Sequence, residues 1–187
     1  ILDGKKALYK VPLPKRNEEK KAILETYTKE YSAEYQAQAL IDIAKKLNKK
    51  IQNLSQIKKI DIYTSHHTHY VIGTGANDPQ KMDPNASRET LDHSIMYIFA
   101  VALEDASWHH VNSYKKSRAN KKSTIKIWRS IKTHEDKKWT RKYHDPNPKN
   151  KSFGAKVVVT LNNNKKIIEQ LDKADAHPYG LRPFVRK

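Results

Sequence analysis

The sequence predicts an α+β fold, a small mixed domain of helices and strands. Three observations indicate this class: an amphipathic helical segment, a segment of strictly alternating apolar and polar residues, and a second apolar helix followed by two further alternating segments. These elements occur without a regular strand–helix–strand rhythm, which argues against a parallel α/β sheet. We find no internal repeat.

The first predicted helix extends from Ser32 to about Lys46. Serine is a favoured helix N-cap because its side-chain oxygen accepts a hydrogen bond from a free backbone N–H. The apolar residues that follow recur at helical spacing on one face, which predicts an amphipathic helix: Ala33, Ala37, Leu40, Ile41, Ala44 and Leu47. Before this helix, residues 1–25 are predicted to form an irregular lead-in, because Pro12 and Pro14 interrupt any pattern.

The next element is a strand from Ile57 to Thr64. Ile60, Ile62 and Thr64 alternate with charged or polar residues, which is the pattern of a strand with one buried face. Residues 74–85 are rich in Gly, Asn, Asp and Pro. This composition predicts an ordered loop after the strand.

A second helix is predicted to begin near Ser87. Its middle, residues 95–101, is apolar nearly all round, which indicates burial on several sides. A shorter helix is predicted over residues 123–131. Residues 155–161 and 165–171 then alternate around three asparagines, and because Asn tolerates the positive φ of tight turns, we expect a β-hairpin there.

The composition is strongly basic, with 37 Lys and Arg against 20 Asp and Glu and a formal net charge of +17. Such an excess accompanies a nucleic-acid partner, an anionic surface or an acidic small molecule. A lysine-rich genome composition produces the same signal, and lysines occur in every segment. The 37% hydrophobic content is low for a self-sufficient domain, so we expect the chain to pack against something else.

Several classes of protein are excluded by what the sequence lacks. The chain has no cysteine, which excludes disulfides, a thiolate nucleophile and an iron–sulfur cluster held by its own residues. No apolar run approaches the ~20 residues of a membrane span, so no membrane partner is expected. The first residue is Ile1, from which we expect a processed or partial chain.

Three histidines, His66, His67 and His69, follow the predicted strand. A metal site is one interpretation. However, neighbouring strand residues point to opposite sides, so at most His67 and His69 share a face. No Asp, Glu or Cys stands nearby at an obvious ligand spacing. We therefore predict no metal, and rings that form hydrogen bonds or line an anion pocket.

Arg88 and His93 lie at the start of the second predicted helix. A cation and an imidazole beside the free N–H groups of a helix N-terminus suit a carboxylate ligand. The alternative is that Arg88 pairs with Glu89 or Asp92.

Two adjoining stretches carry a resemblance to a known family. Residues 63–81 read YTSHHTHYVIGTGANDPQK and residues 83–94 read DPNASRETLDHS. Together they resemble the signature of 2-methylcitrate dehydratases of the MmgE/PrpD family. The resemblance covers residues 22–186 and continues in five shorter segments: 28–39, 97–103, 108–110, 139–144 and 174–178.

The resemblance implies a two-part architecture. Residues 26–120 would be the small α+β domain of the MmgE/PrpD fold, and residues 121–187 would be a helix, a hairpin and a tail that return to a larger helical domain. That domain is absent from this sequence, so a missing domain or a second chain is an expected partner, and an oligomer is expected. The chain alone is expected not to catalyse dehydration.

The implied activity is a cofactor-independent hydro-lyase reaction, the dehydration of 2-methylcitrate to 2-methyl-cis-aconitate in propionate catabolism by the methylcitrate cycle. No cofactor and no iron–sulfur cluster are expected. The implied location is the mitochondrial matrix, with the bacterial cytoplasm as the alternative. Relatives act on methylcitrate, citrate or cis-aconitate, so the substrate class is a tricarboxylate.

The resemblance also implies site residues. Lys29 and Tyr70 stand where the family has residues that face the active site, and both are expected to converge on one cleft. His69, Arg88 and His93 lie in the same signature. Lys29, Arg88 and His93 are assigned to substrate binding, and Tyr70 and His69 to proton transfer, because elimination needs cations for carboxylates and groups that exchange protons.

The sequence departs from the family pattern at two places. Ala106 and Ser107 replace a family-typical glycine, and Lys115–Lys116 replaces a less charged stretch. The alternative interpretation is a non-catalytic relative recruited as a structural, RNA-contacting subunit of a large assembly such as a mitochondrial ribosome. The absent helical domain and the +17 charge favour that alternative. Retention of Lys29 and Tyr70 favours the enzyme.

Overall fold

Four strands form one mixed sheet in the order β2–β1–β3–β4. In the computed structural model, which describes residues 15–18 and 27–183, they are β1 (Ile57–Thr64), β2 (Ile131–Glu135), β3 (Ala155–Leu161) and β4 (Lys166–Leu171). β1 is parallel to β2 and antiparallel to β3, and β3 is antiparallel to β4. The predicted α+β class is confirmed.

The described residues form six α-helices: α1 (Gln38–Lys50), α2 (Arg88–Asp92), α3 (Ile95–Asp105), α4 (Lys116–Ala119), α5 (Lys122–Arg129) and α6 (Lys137–Tyr143). α3 packs against both α1 and α5, and α1 also packs on β4. Every residue of Ile95–Leu103 is buried, as the all-round apolar pattern predicts. None of these helices is long and apolar enough to span a membrane.

The first helix begins six residues later than its predicted start at Ser32. A short 3₁₀ turn, Tyr35–Ala37, precedes it, and Ser32 is exposed and caps nothing. The buried side chain of Gln38 instead accepts the Tyr31 N–H at 3.0 Å and donates to the Tyr31 carbonyl at 2.9 Å. These bonds hold the segment before α1 outside the helix. The predicted apolar face is buried.

The helix predicted from Ser87 onward is two helices, broken at His93 and Ser94. The Ser94 hydroxyl accepts the Tyr97 N–H at 3.2 Å, as an N-cap does, and donates to the Lys81 carbonyl at 2.7 Å. A new helix therefore begins at Ile95. Arg88 consequently opens the short helix α2 and not the buried helix, which corrects its predicted position.

The three strands that follow residue 120 belong to the same sheet as β1. The predicted helix over residues 123–131 is Lys122–Arg129, and Ile131 begins β2, a strand that the sequence did not predict. β2 and β3 flank β1 on both sides, so residues from both sides of the predicted division at residue 120 form one sheet, and the division itself stays a prediction. The hairpin is confirmed, and Asn164 has a φ of 62° at its turn.

The segment before α1 and the last described residues of the chain meet beside α1. The carboxylate of Asp42 accepts the Asp175 N–H at 2.8 Å, and the Arg182 guanidinium pairs with Glu30 at 2.8 Å. This part of the predicted tail therefore packs on this domain. Most of the predicted lead-in, residues 1–25, lies outside the described residues. Residues 15–18 form a turn closed by the Glu18 N–H and the Lys15 carbonyl at 3.1 Å.

Candidate functional site

The exposed side chain of Lys29 lies in the segment that precedes α1. Two residues later, the Tyr31 hydroxyl donates to Asp42 Oδ1 at 2.7 Å and accepts a hydrogen bond from Lys45 Nζ at 3.0 Å. Burial and the Asp42 carboxylate raise the pKa of Tyr31, so this hydroxyl stays protonated and keeps donating. Tyr31 thereby fixes the segment that carries Lys29 against α1.

Asp92, near the end of α2, joins three segments. Its Oδ1 atom accepts the Glu34 N–H at 3.1 Å and also contacts the Tyr114 hydroxyl. The Tyr114 hydroxyl lies 3.0 Å from the Ser32 carbonyl, which also accepts the Trp108 indole N–H at 3.2 Å. Burial and Asp92 raise the pKa of Tyr114. These bonds bring Lys29 and α2 to the same surface.

Arg88 lies over the ring of Tyr114, with its guanidinium carbon 4.8 Å from the ring centroid. Its Nη2 atom donates to the His110 carbonyl at 3.1 Å. Among the described residues it forms no ion pair with Glu89 or Asp92, so the predicted alternative role is not found. Because a guanidinium has five N–H donors, most of its donors remain available to an anion.

His93 is exposed, and its Nδ1 atom lies 2.9 Å from the Glu89 carbonyl. A carbonyl only accepts hydrogen bonds, so Nδ1 carries the proton of the neutral ring. The Nε2 atom then has a free lone pair. This arrangement leaves His93 able to accept a proton or a hydrogen bond from a ligand.

Lys29, Arg88 and His93 line one open cleft of about 340 Å³, together with Ser32, Ala33, Glu89, Asp92 and Tyr114. The structure therefore brings together all three residues that the sequence assigned to substrate binding. Ser87 caps α2 and accepts the Thr90 N–H, so this helix N–H group is not available to a ligand. The side chains of Lys29 and Arg88 supply positive charge to the cleft, and Glu89 and Asp92 line it with carboxylates.

The two residues assigned to proton transfer lie elsewhere. Tyr70 and His69 belong to a π-helical turn, Thr68–Ile72, that follows β1. Tyr70 is 48% exposed, and its ring lies 4.5 Å from those of His66 and His69. It does not line the cleft of Lys29. The expectation that Lys29 and Tyr70 converge on one cleft is not met in the described chain.

His69 is held on both edges of its ring. Its Nδ1 atom lies 2.7 Å from the Thr133 hydroxyl, and a Cβ at Gly75 would lie 2.5 Å from its Nε2 atom. Glycine at position 75 is therefore required by the close approach of the ring. Burial, with a smaller effect of His134, lowers the pKa of His69. These contacts tie the loop after β1 to β2, and a catalytic role for His69 stays a prediction.

The other two histidines of the cluster face different partners. His66 Nδ1 lies 3.1 Å from the Glu135 carboxylate, whose pKa this contact lowers, and His67 stacks on Tyr143 at 5.3 Å. In residues 15–18 and 27–183, no group of three His, Asp or Glu side chains converges as a metal site would. These histidines lie in a helical turn and not at the end of a strand. The prediction that neighbouring histidines point to opposite sides, as they would in a strand, was therefore wrong.

Sequence reasoning missed the residues that hold the cleft together. Asp92 stood inside the quoted signature as a candidate partner for Arg88, and its contact with Glu34 was not foreseen. Tyr114 carried no signal of its own, because it belongs to no periodic segment, and Trp108 stood in the quoted segment 108–110 without any indication of its contact with Ser32. Their contacts with Ser32 join residues far apart in the chain.

A family comparison agrees with this fold. The model of the MmgE/PrpD C-terminal domain matches residues 31–187, most of the chain. The match begins at the buried Tyr31 and includes every strand and helix described above. It confirms the resemblance seen in the sequence. The chain therefore belongs to the MmgE/PrpD family, of which residues 31–187 match the C-terminal domain.

Proposed function

We propose that this chain forms one wall of the active site of a cofactor-independent hydro-lyase that dehydrates 2-methylcitrate to 2-methyl-cis-aconitate. The observation that carries the proposal is the meeting of Lys29, Arg88 and His93 in one cleft. A helical partner, as the family resemblance implies, would supply the remaining walls. Family membership supports the reaction class, and the cleft supports an anionic substrate.

The cleft offers two cations and enough volume for a tricarboxylate, and one of the two carboxylates that also line it, Asp92, already accepts the Glu34 N–H. A guanidinium binds a carboxylate through two parallel N–H donors, whereas an ammonium acts as a point charge. Arg88 and Lys29 thus provide two separate carboxylate contacts. The volume of about 340 Å³ lies at the lower end of the range of small-molecule sites.

The reaction removes a proton from the carbon beside a carboxylate. The electrons of that C–H bond form the C=C bond, the C–O bond of the neighbouring carbon breaks, and the hydroxyl leaves as water with a proton from a general acid that the helical partner would supply. His93 Nε2, with its free lone pair, is the group in this cleft that is placed to accept the carbon-bound proton. Tyr70 and His69 lie outside the cleft, so their predicted proton-transfer roles receive no support from its geometry.

The proposal is tested by binding, because binding does not require the remaining walls. Isotope-labelled chain is titrated with 2-methylcitrate, citrate and cis-aconitate, and amide shifts are followed by nuclear magnetic resonance. We expect shifts at Lys29, Ser32 and residues 88–93, with 2-methylcitrate the tightest ligand. Arg88→Gln and Lys29→Met should each weaken binding by about tenfold, the loss of one charged hydrogen bond.

The matched control is Lys115→Gln, which removes one exposed cation outside the cleft lining. It should leave the affinity within about twofold. Equal weakening by the control and by Arg88→Gln would show that only net charge matters. Shifts confined to other parts of the chain would also refute the cleft as the binding site.

A further inference from the structure

Three stretches without any acidic residue meet at one end of the molecule. Residues 43–60, 106–134 and 146–168 contain no Asp or Glu. Lys58 Nζ donates to Asn164 Oδ1 at 3.2 Å, and the Asn162 N–H donates to the Gln56 carbonyl at 2.8 Å. Lys126 Nζ reaches the Ser55 carbonyl at 3.0 Å. We call residues 49–58, Lys126 and residues 162–166 the basic end.

The basic end contains a groove of about 390 Å³. Lys50 and Lys165 lie along this groove together with side-chain amides, which are those of Gln52, Asn53, Gln56 and Asn163. Six lysines of the basic end are exposed: Lys49, Lys50, Lys58, Lys126, Lys165 and Lys166. Within the described residues, only Lys50 among them forms an ion pair, with Glu169.

We infer that the basic end binds the phosphodiester backbone of a nucleic acid. Ammonium groups and amide N–H groups donate to phosphate oxygens, and each neutralised phosphate releases a counterion. The basic end contains no aromatic residue on which a base would stack. The contact is therefore with the backbone, independent of base sequence and strongly dependent on salt.

This surface is separate from the cleft of Lys29, since the two share no lining residue. A lipid surface is a poorer match, because the large hydrophobic residues exposed in the described chain all lie outside the basic end. The clustering also distinguishes the basic end from lysines that are merely numerous, because three segments without acidic residues meet there and, in the described chain, Glu169 is the one acid that pairs with its lysines.

The test compares two fourfold variants of the full chain with the same loss of charge. The first replaces Lys49, Lys126, Lys165 and Lys166 by Gln, and the control replaces the exposed Lys115, Lys116, Lys137 and Lys138 by Gln. Binding to a fluorescent 20-nucleotide RNA, a matched DNA strand and phosphatidylserine vesicles is measured from 50 to 200 mM salt. Circular dichroism checks that both variants remain folded.

We expect the first variant to bind RNA and DNA at least tenfold more weakly than the unchanged chain. Its slope of log K against log salt should fall by about 2 to 3, since each phosphate contact contributes roughly 0.7 for a single strand. The control should change the affinity by less than threefold. Equal losses in both variants, tighter binding to vesicles than to RNA, or displacement of RNA by citrate at constant ionic strength would overturn the inference.

Discussion

The carboxylate of Asp92 accepts a hydrogen bond at 3.1 Å from the backbone N–H of Glu34, which lies 58 residues earlier in the chain. The same oxygen contacts the Tyr114 hydroxyl. One side chain thus joins the segment that carries Lys29 to the helix that carries Arg88 and His93. The cleft depends on this carboxylate, although Asp92 need not touch a ligand.

Replacing Asp92 by Ala should destabilise the chain by about 2 kcal/mol, because the Glu34 N–H loses its side-chain acceptor in a half-buried place and the Tyr114 hydroxyl keeps only the Ser32 carbonyl. Asp92→Asn keeps one acceptor oxygen and should cost about 1 kcal/mol. Urea unfolding followed by circular dichroism measures both values. The control is Asp83→Ala, at an exposed turn, which should cost less than either. Equal effects at positions 83 and 92 would contradict this role.

Ala106 ends α3 in the left-handed region, with a φ of 51°. This is the place where the family-typical glycine is replaced. A Cβ in that region costs roughly 1–2 kcal/mol, partly offset by the greater freedom of glycine in the unfolded chain. We therefore expect Ala106→Gly to stabilise the chain by about 0.5–1 kcal/mol in urea unfolding. Ala102→Gly, inside the same helix, should be destabilising, and stabilisation by both changes would refute the explanation.

The contact between Gly75 and His69 is testable by a double-mutant cycle. Gly75→Ala should destabilise the chain by about 1–3 kcal/mol, since the added Cβ would lie 2.5 Å from the imidazole. In a His69→Ala background the same change should cost less than 1 kcal/mol, because the ring is gone. The coupling free energy comes from thermal or urea unfolding of the four proteins. A cost at Gly75 that is unchanged without His69 would exclude the steric explanation.

His177 gives the fold a pH dependence. Burial, followed by the nearby Lys173, lowers its pKa to about 4. The unfolded ring has a pKa near 6.5, so below that pH the unfolded state binds a proton that the folded state does not. The contribution of this neutral buried ring to the free energy of unfolding is therefore complete above about pH 6.5, and it is lost progressively as the pH falls towards 4.

Between pH 7 and pH 5.5, this single ring should remove about 1 kcal/mol of stability. The measurement is urea unfolding at both pH values for the unchanged chain, for His177→Gln and for the exposed control His144→Gln. The decrease should be smaller by that amount in His177→Gln and unaltered in His144→Gln. An identical pH dependence in all three proteins would show that His177 titrates normally.

Local patterns were sufficient for the elements whose stability depends on one buried face. The bounds of strand β1 and of the β3–β4 hairpin were predicted within one residue. Alternation of apolar and polar residues and a turn of asparagines are both patterns of residues that are close together in the sequence. Strand β2 was missed. Its five residues, IKTHE, are short and half polar, and they become a strand only by pairing with β1 across a crossover of some 65 residues.

Tertiary hydrogen bonds decided where helices begin. Ser32 and Ser87 were equally good caps in the sequence, but only Ser87 acts as one. The Gln38 side chain holds the backbone near Ser32 in another conformation, and the contact of Ser94 with the Lys81 carbonyl favours a second start. These interactions join residues that no periodicity relates.

The sequence by itself determined the α+β class, the family, and three residues that line one cleft: Lys29, Arg88 and His93. Only the tertiary structure decided that Tyr70 and His69 lie outside that cleft, and that Asp92 and Tyr114 assemble it. The physical reason is the distance along the chain over which each kind of interaction acts. Periodicity and motifs report on neighbours along the chain, whereas the cleft results from hydrogen bonds between segments brought together by burial of α3 against α1 and α5.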